Sequence, residues 1–225
     1  KKVKFNEETF EFVANAAVKK VEFECKADSM KTLPKQGMPE ILFMGRSNVG
    51  KSSLVNMLVN RKTIAPTSSK PGFTTSLNFY AINPMHPRGM QCRLVDVPGL
   101  GFAEAEMGRV DSWRSTLQRY LTVREPLKCV FHLIDSKAGI EKSDVFLLSM
   151  IQKSQLVERG VKYVAVLTKT DKVNNSMLEA TIKSVEEKLG EFGLSSADIV
   201  LSSSKSMEGR DKLWHVLFNL LSDSD

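Results

Sequence analysis

The sequence predicts an α/β protein of the P-loop NTPase type, with a mostly parallel central sheet, one antiparallel strand and helices on both faces. Strand-like apolar runs alternate along its 225 residues with stretches whose apolar residues recur at helical spacing. A short connection containing Pro and Gly joins the runs at 77–82 and 92–97, which favours a hairpin over a crossover and makes one strand antiparallel. A glycine-flanked loop between the run at 41–44 and a helical stretch is typical of phosphate-binding α/β folds.

Six strands and five helices are predicted in order along the chain. The strands are residues 41–44, 77–82, 92–97, 129–135, 163–168 and 199–202. The helices are residues 51–60, 110–124, 143–159, 176–192 and 209–221. No internal repeat or low-complexity linker separates them, so we expect a single domain over residues 1–225 with its core at 41–222.

Residues 1–40 differ in character from the core. Their apolar residues suggest a strand or helix that packs onto the core: Phe5, Phe10, Phe12, Val13 and Ala16. A turn at 35–39 then leads into the first core strand. The chain begins at Lys1 rather than Met, so we expect a longer chain in nature, with a removed targeting peptide as one possibility.

Composition limits the classes of function. No apolar run approaches the ~20 residues that a membrane-spanning helix needs. The three cysteines are too scattered for a disulfide framework or a metal site. The formal net charge is +6, and residues 41–95 contain no Asp or Glu but seven Lys or Arg. A polyphosphate ligand explains part of this excess, and an RNA backbone or plain solvation explains the rest equally well.

The phosphate-binding pattern G-x-x-x-x-G-K-[ST] is met by the stretch Gly45, Arg46, Ser47, Asn48, Val49, Gly50, Lys51 and Ser52. A strand, a Gly-containing loop and a helix start create a nest of backbone N–H groups around an anion. We expect Lys51 to reach the β- and γ-phosphates and the Ser52 hydroxyl to bind Mg²⁺. A chance Gly-rich turn is the alternative for this motif taken alone.

A second motif, Asp96-Val97-Pro98-Gly99, ends an apolar strand. An Asp at this point can hold Mg²⁺ through a water molecule, and the Gly99 N–H can reach a γ-phosphate. An ordinary strand-ending turn is the alternative. The loop at 68–75 lies between the two motifs, and in it Thr74, with Thr75 as second choice, is expected to complete the Mg²⁺ shell only when the γ-phosphate is present. A plain surface loop is the alternative there.

Two further motifs indicate which base is bound. Thr168-Lys169-Thr170-Asp171 follows a strand, and a carboxylate there can accept hydrogen bonds from guanine N1–H and the 2-amino group. Adenine lacks this pair of donors and would leave the carboxylate unpaired. The stretch Leu201-Ser202-Ser203, after the next strand, can offer a backbone N–H to guanine O6. Together the motifs favour GTP over ATP.

Other conspicuous residues have structural interpretations. His132 lies inside a predicted strand, where a buried, hydrogen-bonded histidine is expected rather than a catalytic one. Trp113 and Tyr120 are seven residues apart and share a helix face, which favours core packing over base stacking. No nucleophile constellation of the Ser/His/Asp or Cys/His kind stands out.

At this level of detail the chain resembles the EngB (YihA/YsxC) family of small ribosome-assembly GTPases. The resemblance runs from about residue 12 to 220, and the residues that carry it are 45–53, 69–80, 94–103, Trp113, 120–124, 133–135, Asp144, 166–172, Ser202 and Ser203. It implies a TRAFAC-class G domain, GTP hydrolysis with Mg²⁺, and a switch role in maturing the large ribosomal subunit. The implied partners are rRNA and ribosomal proteins of a large-subunit precursor, with a monomer off the ribosome.

The resemblance also implies a set of site residues. The nucleotide contacts carry over to Gly45, Arg46, Ser47, Asn48, Val49, Gly50, Lys51, Ser52, Ser53, Gly72, Phe73, Thr74, Thr75, Ser76, Asp96, Val97, Pro98, Gly99, Thr168, Lys169, Thr170, Asp171, Leu201, Ser202 and Ser203. Catalysis falls to Lys51, Thr74, Asp96 and Gly99. Ser52 and Thr74 are the implied Mg²⁺ ligands, with Asp96 acting through water. Asn48 is a candidate K⁺ ligand, as in related GTPases with Asn at this position.

Two departures from the family pattern keep alternatives open. Leu100 stands where the family often has an aromatic residue and signalling G proteins have a water-orienting Gln, so we expect hydrolysis to be slow without a partner. The connection at 83–91 is longer than expected, and its His86 and Arg88 could meet RNA, although an inert loop is favoured. A GTP-binding placeholder with negligible turnover and a cell-division regulator are the alternatives, and a kinase is disfavoured. A bacterial cytoplasm, a mitochondrion and a plastid are all compatible with the sequence.

Overall fold

The computed structural model describes residues 18–61, 64, 76–84, 90–99 and 107–222, and for residues 107–112 it describes the backbone alone. Within these residues the chain forms one seven-stranded sheet. The strands are β1 (Val21–Ala27), β2 (Glu40–Gly45), β3 (Leu77–Ile82), β4 (Cys92–Asp96), β5 (Leu127–Asp135), β6 (Lys162–Thr168) and β7 (Asp198–Leu201). Their order across the sheet is β1-β3-β4-β2-β5-β6-β7.

The sheet is parallel apart from one strand. β3 runs antiparallel to both of its neighbours, β1 and β4, and the remaining pairs are parallel. The predicted mostly parallel sheet with one antiparallel strand is therefore confirmed. The Pro- and Gly-containing connection produces the hairpin because it is too short to carry the chain back across the sheet.

In the part of the chain that the structure describes, five α-helices cover the two faces of the sheet. They are α1 (Lys51–Leu58), α2 (Met107–Val123), α3 (Lys142–Lys153), α4 (Asn175–Glu191) and α5 (Arg210–Ser222). Ile41 and Phe43 of β2 pack with apolar residues of α1 and α5, whereas Leu42 and Met44 pack with those of α2, α3 and α4. This alternation follows from the two-residue period of a strand buried on both faces.

Some predicted boundaries were wrong. The helix predicted at 143–159 ends at Lys153, where the Ser154 hydroxyl donates to the Ile151 carbonyl (2.7 Å) and Gln155 adopts a positive φ of 50°. The first helix ends at Leu58 rather than residue 60. β1 was not among the predicted strands, although its sequence VEFECKA alternates strictly between apolar and polar residues, as in a half-buried strand.

Several predictions concern residues outside the described ones. These are the N-terminal apolar residues Phe5, Phe10, Phe12, Val13 and Ala16, and most of the 83–91 connection. Among the described residues, no helix is both long and apolar enough to cross a membrane.

The parallel strands place the predicted motifs at one edge of the sheet. β2 ends at Gly45, β4 at Asp96, β6 at Thr168 and β7 at Leu201. Because parallel strands end on the same side, all four motifs meet there, in the position where ligands bind open α/β sheets.

Candidate functional site

The loop between β2 and α1 has a backbone that needs glycine. Gly45 has a φ of 150°, and a Cβ there would lie 2.6 Å from the Leu133 carbonyl oxygen. Asn48 and Gly50 also have positive φ, at 59° and 109°. Gly50 caps α1 without any side-chain hydrogen bond, so no side chain competes for the N–H groups of the first helical turn. Such a helix start attracts an anion.

Lys51 is buried against this loop. Its Nζ donates to the carbonyl oxygens of Arg46 (2.9 Å) and Gly45 (3.3 Å). Burial lowers the pKa of Lys51, and the nearby charge of Asp96 opposes that shift. A buried ammonium whose hydrogen-bond partners among the described residues are carbonyl oxygens is poised to bind phosphate oxygens.

Gly99 brings the second motif against the loop. A Cβ at this position would lie 2.6 Å from the Ser47 Cα and 2.9 Å from the Lys51 Nζ. Only glycine allows this close approach. Val97 and Pro98, between Asp96 and Gly99, are buried.

Asp96 and Ser52 place two side-chain oxygen groups side by side. The Ser52 hydroxyl donates to Asp96 Oδ2 at 3.0 Å, while Asp96 Oδ1 is buried and has no hydrogen-bond partner among the described residues. Burial raises the pKa of Asp96, and the Lys51 charge and the Ser52 hydrogen bond oppose this shift. Mg²⁺ prefers oxygen ligands, including one or two carboxylates, so this unsatisfied buried carboxylate beside a hydroxyl fits Mg²⁺. The described residues contain no group of three or more His, Cys, Asp or Glu arranged for a metal ion.

Thr168 and Lys169 hold the phosphate loop from the end of β6. The Thr168 hydroxyl donates to the Val49 carbonyl (2.8 Å) and the Ile134 carbonyl (3.2 Å). Lys169, at a φ of 60°, donates from Nζ to the Asn48 carbonyl (2.8 Å). These two side chains therefore join the third motif to the first.

Lys169 also pairs with Asp135, a residue that was not among the predicted site residues. The Nζ–Oδ2 distance is 2.7 Å. Burial alone would raise the pKa of Asp135, but the hydrogen bond from Lys169 and those from backbone N–H groups hold it below its ordinary value. Asp135 is the last residue of β5. An acidic residue at the end of a parallel strand is the signal by which the sequence could have indicated it.

The candidate base-binding group lies beside this point. Asp171, in a 3₁₀ turn at Thr170–Lys172, is exposed and accepts a hydrogen bond from the Ser203 hydroxyl (2.7 Å), which lowers the pKa of Asp171. The Thr170 hydroxyl donates to Glu208 Oε2 at 2.5 Å. The third and fourth motifs are thus fastened together, and Glu208 is a further contributor that sequence reasoning missed.

Arg46, one of the predicted nucleotide contacts, has a side chain that is ion-paired within the protein. Its side chain forms ion pairs with Glu141 and with Asp144 (Nε–Oδ2 3.2 Å) at the start of α3. The side chain is thereby engaged by protein carboxylates, which leaves the backbone of Arg46 as its part facing a nucleotide.

Asp144 is fully buried and connects the loop to the core. It lies 3.4 Å from His132 Nε2, and His132 Nδ1 is 2.9 Å from the Tyr163 hydroxyl. His132 is buried and hydrogen-bonded, as predicted. Tyr120 is fully buried and Trp113 packs partly buried against the same cluster, in agreement with a packing role.

The remaining predicted site residues are placed as follows. Ser53 lies half-buried in α1, Ser76 half-buried before β3, Leu201 half-buried at the end of β7, and Ser202 and Ser203 are buried. Four predicted nucleotide contacts lie outside the described residues: Gly72, Phe73, Thr74 and Thr75. Leu100 lies outside them as well.

Comparison with known proteins matches the chain to one family model. Residues 40–169 match the model described as "50S ribosome-binding GTPase". The chain is 35% identical over 205 residues to the "Probable GTP-binding protein EngB" of Bacillus subtilis (strain 168), covering 91% of this chain and 98% of the relative. It is 39% identical over 184 residues to the protein of the same name from Bacillus pumilus (strain SAFR-032), covering 82% and 88%.

Solved structures agree in fold. A crystal structure of a probable GTP-binding protein engB aligns with a TM-score of 0.59 at 21% identity, covering 82% of this chain and 99% of that one. A bacterial selenocysteine-specific elongation factor, EF-Sec, aligns with a TM-score of 0.59 at 18% identity over 84% of this chain and 30% of its own. At these identities the likeness shows the fold alone, a P-loop G domain.

Proposed function

Because the chain belongs to the EngB family of GTP-binding GTPases, we propose that its GTP-bound form associates with a precursor of the large ribosomal subunit and that hydrolysis to GDP releases it. GTP binding and hydrolysis belong to the family. The ribosomal role and the individual site residues are our proposal.

The observation that carries the ribosomal role is the match of residues 40–169 to a family described as 50S ribosome-binding. The charge distribution supports it. Residues 41–95 have no acidic side chain and seven Lys or Arg, an excess that suits contact with a polyanion.

Different site residues would contact different parts of GTP. The N–H groups at the start of α1 and the Lys51 ammonium would bind the phosphates. Asp171 would accept two hydrogen bonds from guanine, and adenine would leave its carboxylate unpaired. Thr168 and Lys169 would keep both halves of the site in register through the Val49 and Asn48 carbonyls.

Mg²⁺ fits the pair of Ser52 and Asp96, with Thr74 as the expected third protein group. When bound, the metal would neutralise developing charge on the phosphates. Asn48 is exposed beside the phosphate loop, and we keep it as a candidate ligand for K⁺. Faster GTP turnover in K⁺ than in Na⁺ buffer would support this ligand, and equal turnover would remove it.

Co-sedimentation with purified large-subunit precursors tests the proposed function. We expect association in a non-hydrolysable GTP analogue, weaker association in GDP, and a steep loss of binding as salt rises. GTP turnover should also increase in the presence of the precursor, because Leu100 offers no group to orient water. Small ribosomal subunits serve as the control particle. Association that is equal in GTP and GDP, or equal with both particles, would contradict the proposal.

A further inference from the structure

Three buried polar atoms near the phosphate end of the sheet have no hydrogen-bond partner in the part of the chain that the structure describes. They are Asn78 Oδ1, the Tyr80 hydroxyl and Asp96 Oδ1. The residues are 6%, 1% and 3% exposed. Buried polar atoms in native proteins are almost always hydrogen-bonded, so three such atoms together indicate a missing partner.

The strand register brings these residues to one face of the sheet. Asn78 of β3 lies opposite Asp96 of β4, and Tyr80 lies opposite Leu94. Residues two apart in a strand point to the same side. Tyr80 and Leu94 pack into the cluster beneath α1 and α5, and Asp96 reaches Ser52 of α1, so all three polar residues face α1.

The register places Tyr80 opposite Leu94, two residues before Asp96 on the same face, so the charge of Asp96 acts on the Tyr80 hydroxyl. Burial raises the pKa of Tyr80, and the charge of Asp96 raises it further. The two groups are nonetheless not hydrogen-bonded to each other. A small polar molecule bound between them would satisfy both groups.

Water bound to a metal ion is a suitable partner for these three atoms. Asn78 Oδ1 and Asp96 Oδ1 are acceptors, and the Tyr80 hydroxyl can accept or donate. Metal-bound water donates two hydrogens, and Mg²⁺ in proteins usually keeps several waters. Asp96 also belongs to the pair of residues that fits Mg²⁺, because the Ser52 hydroxyl donates to its other oxygen, Oδ2.

We propose that Asn78 and Tyr80 are positioning residues that, with Asp96, hold the water molecules of the nucleotide-associated Mg²⁺. This inference rests on the Mg²⁺ site proposed above. It gives β3 a function beyond hydrogen bonding to its neighbouring strands. β3 also follows directly after the stretch that contains Thr74. The strand would thereby connect that stretch to the metal through bound water.

Release of a fluorescent GDP analogue, mant-GDP, at a series of free Mg²⁺ concentrations tests the proposal without relying on turnover. In wild type, added Mg²⁺ should slow release. In Tyr80→Phe and Asn78→Leu, the Mg²⁺ concentration that slows release by half should rise about tenfold or more, as for other residues that support metal ligands indirectly. The release rate in excess EDTA should stay the same, because neither side chain is proposed to touch the nucleotide.

Tyr120→Phe is the matched control. It removes the hydroxyl of another buried tyrosine, one that bonds to Glu40 at the opposite end of the sheet, and should leave the Mg²⁺ dependence unchanged. Urea unfolding of the nucleotide-free protein gives a second readout. Tyr80→Phe deletes an unpartnered hydroxyl and should not lower stability, which separates metal positioning from a structural role.

The outcomes are distinguishable. If the rate of mant-GDP release from wild type does not depend on Mg²⁺, the metal site and this inference are both overturned. Wild-type release that responds to Mg²⁺, with Tyr80→Phe and Asn78→Leu following the same curve, would overturn this inference alone. If Asn78→Leu does not fold, Asn78→Ser, which shortens the side chain and withdraws its amide, takes its place.

Discussion

The two edges of the central sheet, where the strands end and where they begin, differ in whether their buried polar groups have hydrogen-bond partners. At the carboxyl edge, formed by the residues that end β2, β4, β6 and β7, Asp96 Oδ1 and Ser202 Oγ are buried without partners among the described residues. At the amino edge, formed by Glu24, Glu40, Arg93, Tyr120 and Arg124, buried charges are fully paired. Glu40 accepts hydrogen bonds from the Tyr120 hydroxyl (2.6 Å) and from Arg124 Nε and Nη2 (2.9 and 2.5 Å).

The amino edge is a structural network. Arg93 makes two hydrogen bonds to Glu24 and lies 3.6 Å from Glu40, so one chain of charges joins β1, β2, β4 and the end of α2. Arg124 and Arg93 also donate to the Pro34 and Lys35 carbonyls, which fastens the β1–β2 connection. The hydrogen bond to Glu40 raises the pKa of Arg124.

The difference teaches how to separate structural from functional polar groups in this fold. Paired buried charges satisfy one another and need no ligand. Unpaired ones carry an unmet desolvation cost that a ligand can offset, so they mark the binding edge. Changes in the paired network of the amino edge should therefore alter stability and not ligand binding. Changes at ligand-facing groups of the carboxyl edge should alter ligand binding more than stability.

The largest effect is expected for Glu40→Gln at the amino edge. Loss of the carboxylate charge leaves Arg124 buried beside a neutral group, which should lower the free energy of unfolding by about 3–5 kcal/mol. Urea unfolding monitored by circular dichroism measures this change. Under native conditions the affinity for mant-GDP should equal that of wild type, and a folded variant that has lost nucleotide affinity would contradict the division between the edges.

Lys51→Met at the carboxyl edge should produce the reverse pattern. The variant keeps an apolar stem of similar length but loses the ammonium, so GTP affinity should fall by roughly a hundredfold, or about 3 kcal/mol. The nucleotide-free protein should unfold at nearly the wild-type urea concentration, because burial disfavours the Lys51 charge in the absence of phosphate. Titration with mant-GTP gives the affinity. Unchanged binding would show that Lys51 does not contact phosphate.

Asp171→Asn tests the base-binding end of the same edge. The amide can no longer accept two hydrogen bonds from guanine, so affinity for GDP should fall about tenfold or more. Xanthosine diphosphate has a carbonyl in place of the 2-amino group, and the introduced amide can donate to it, so this nucleotide should gain affinity. Competition against mant-GDP measures both changes. Equal losses for both nucleotides would indicate a general disturbance rather than base recognition.

Sequence alone predicted much of the carboxyl edge. Gly45, Lys51, Asp96 and Asp171 lie in short contiguous motifs at the ends of apolar runs, and parallel strands bring such ends together. The core strands of the sheet were predicted from the same apolar runs. These features are local in sequence or periodic, which is why they can be read without coordinates.

The amino edge could not be predicted in the same way. Glu40 and Arg124 are far apart in sequence, and nothing in their local surroundings indicates that they pair. The same holds for the ion pair of Arg46 with Asp144, which the phosphate-binding motif does not indicate. β1 differs from these pairs, because its alternating sequence VEFECKA is a local strand signal and could have been predicted. Long-range pairing leaves no periodic signal in a single sequence.

Glu24→Gln should give the smallest effect and shows where the amino edge meets solvent. Its side chain is 30% exposed, so water can replace part of what Arg93 loses, and Arg93 keeps its bond to the Lys35 carbonyl. We expect a loss of less than about 1 kcal/mol in the free energy of unfolding, with nucleotide affinity unchanged. Urea unfolding beside Glu40→Gln gives the comparison. A loss as large as that of Glu40→Gln would mean that the whole network, rather than its fully buried centre, stabilises the sheet.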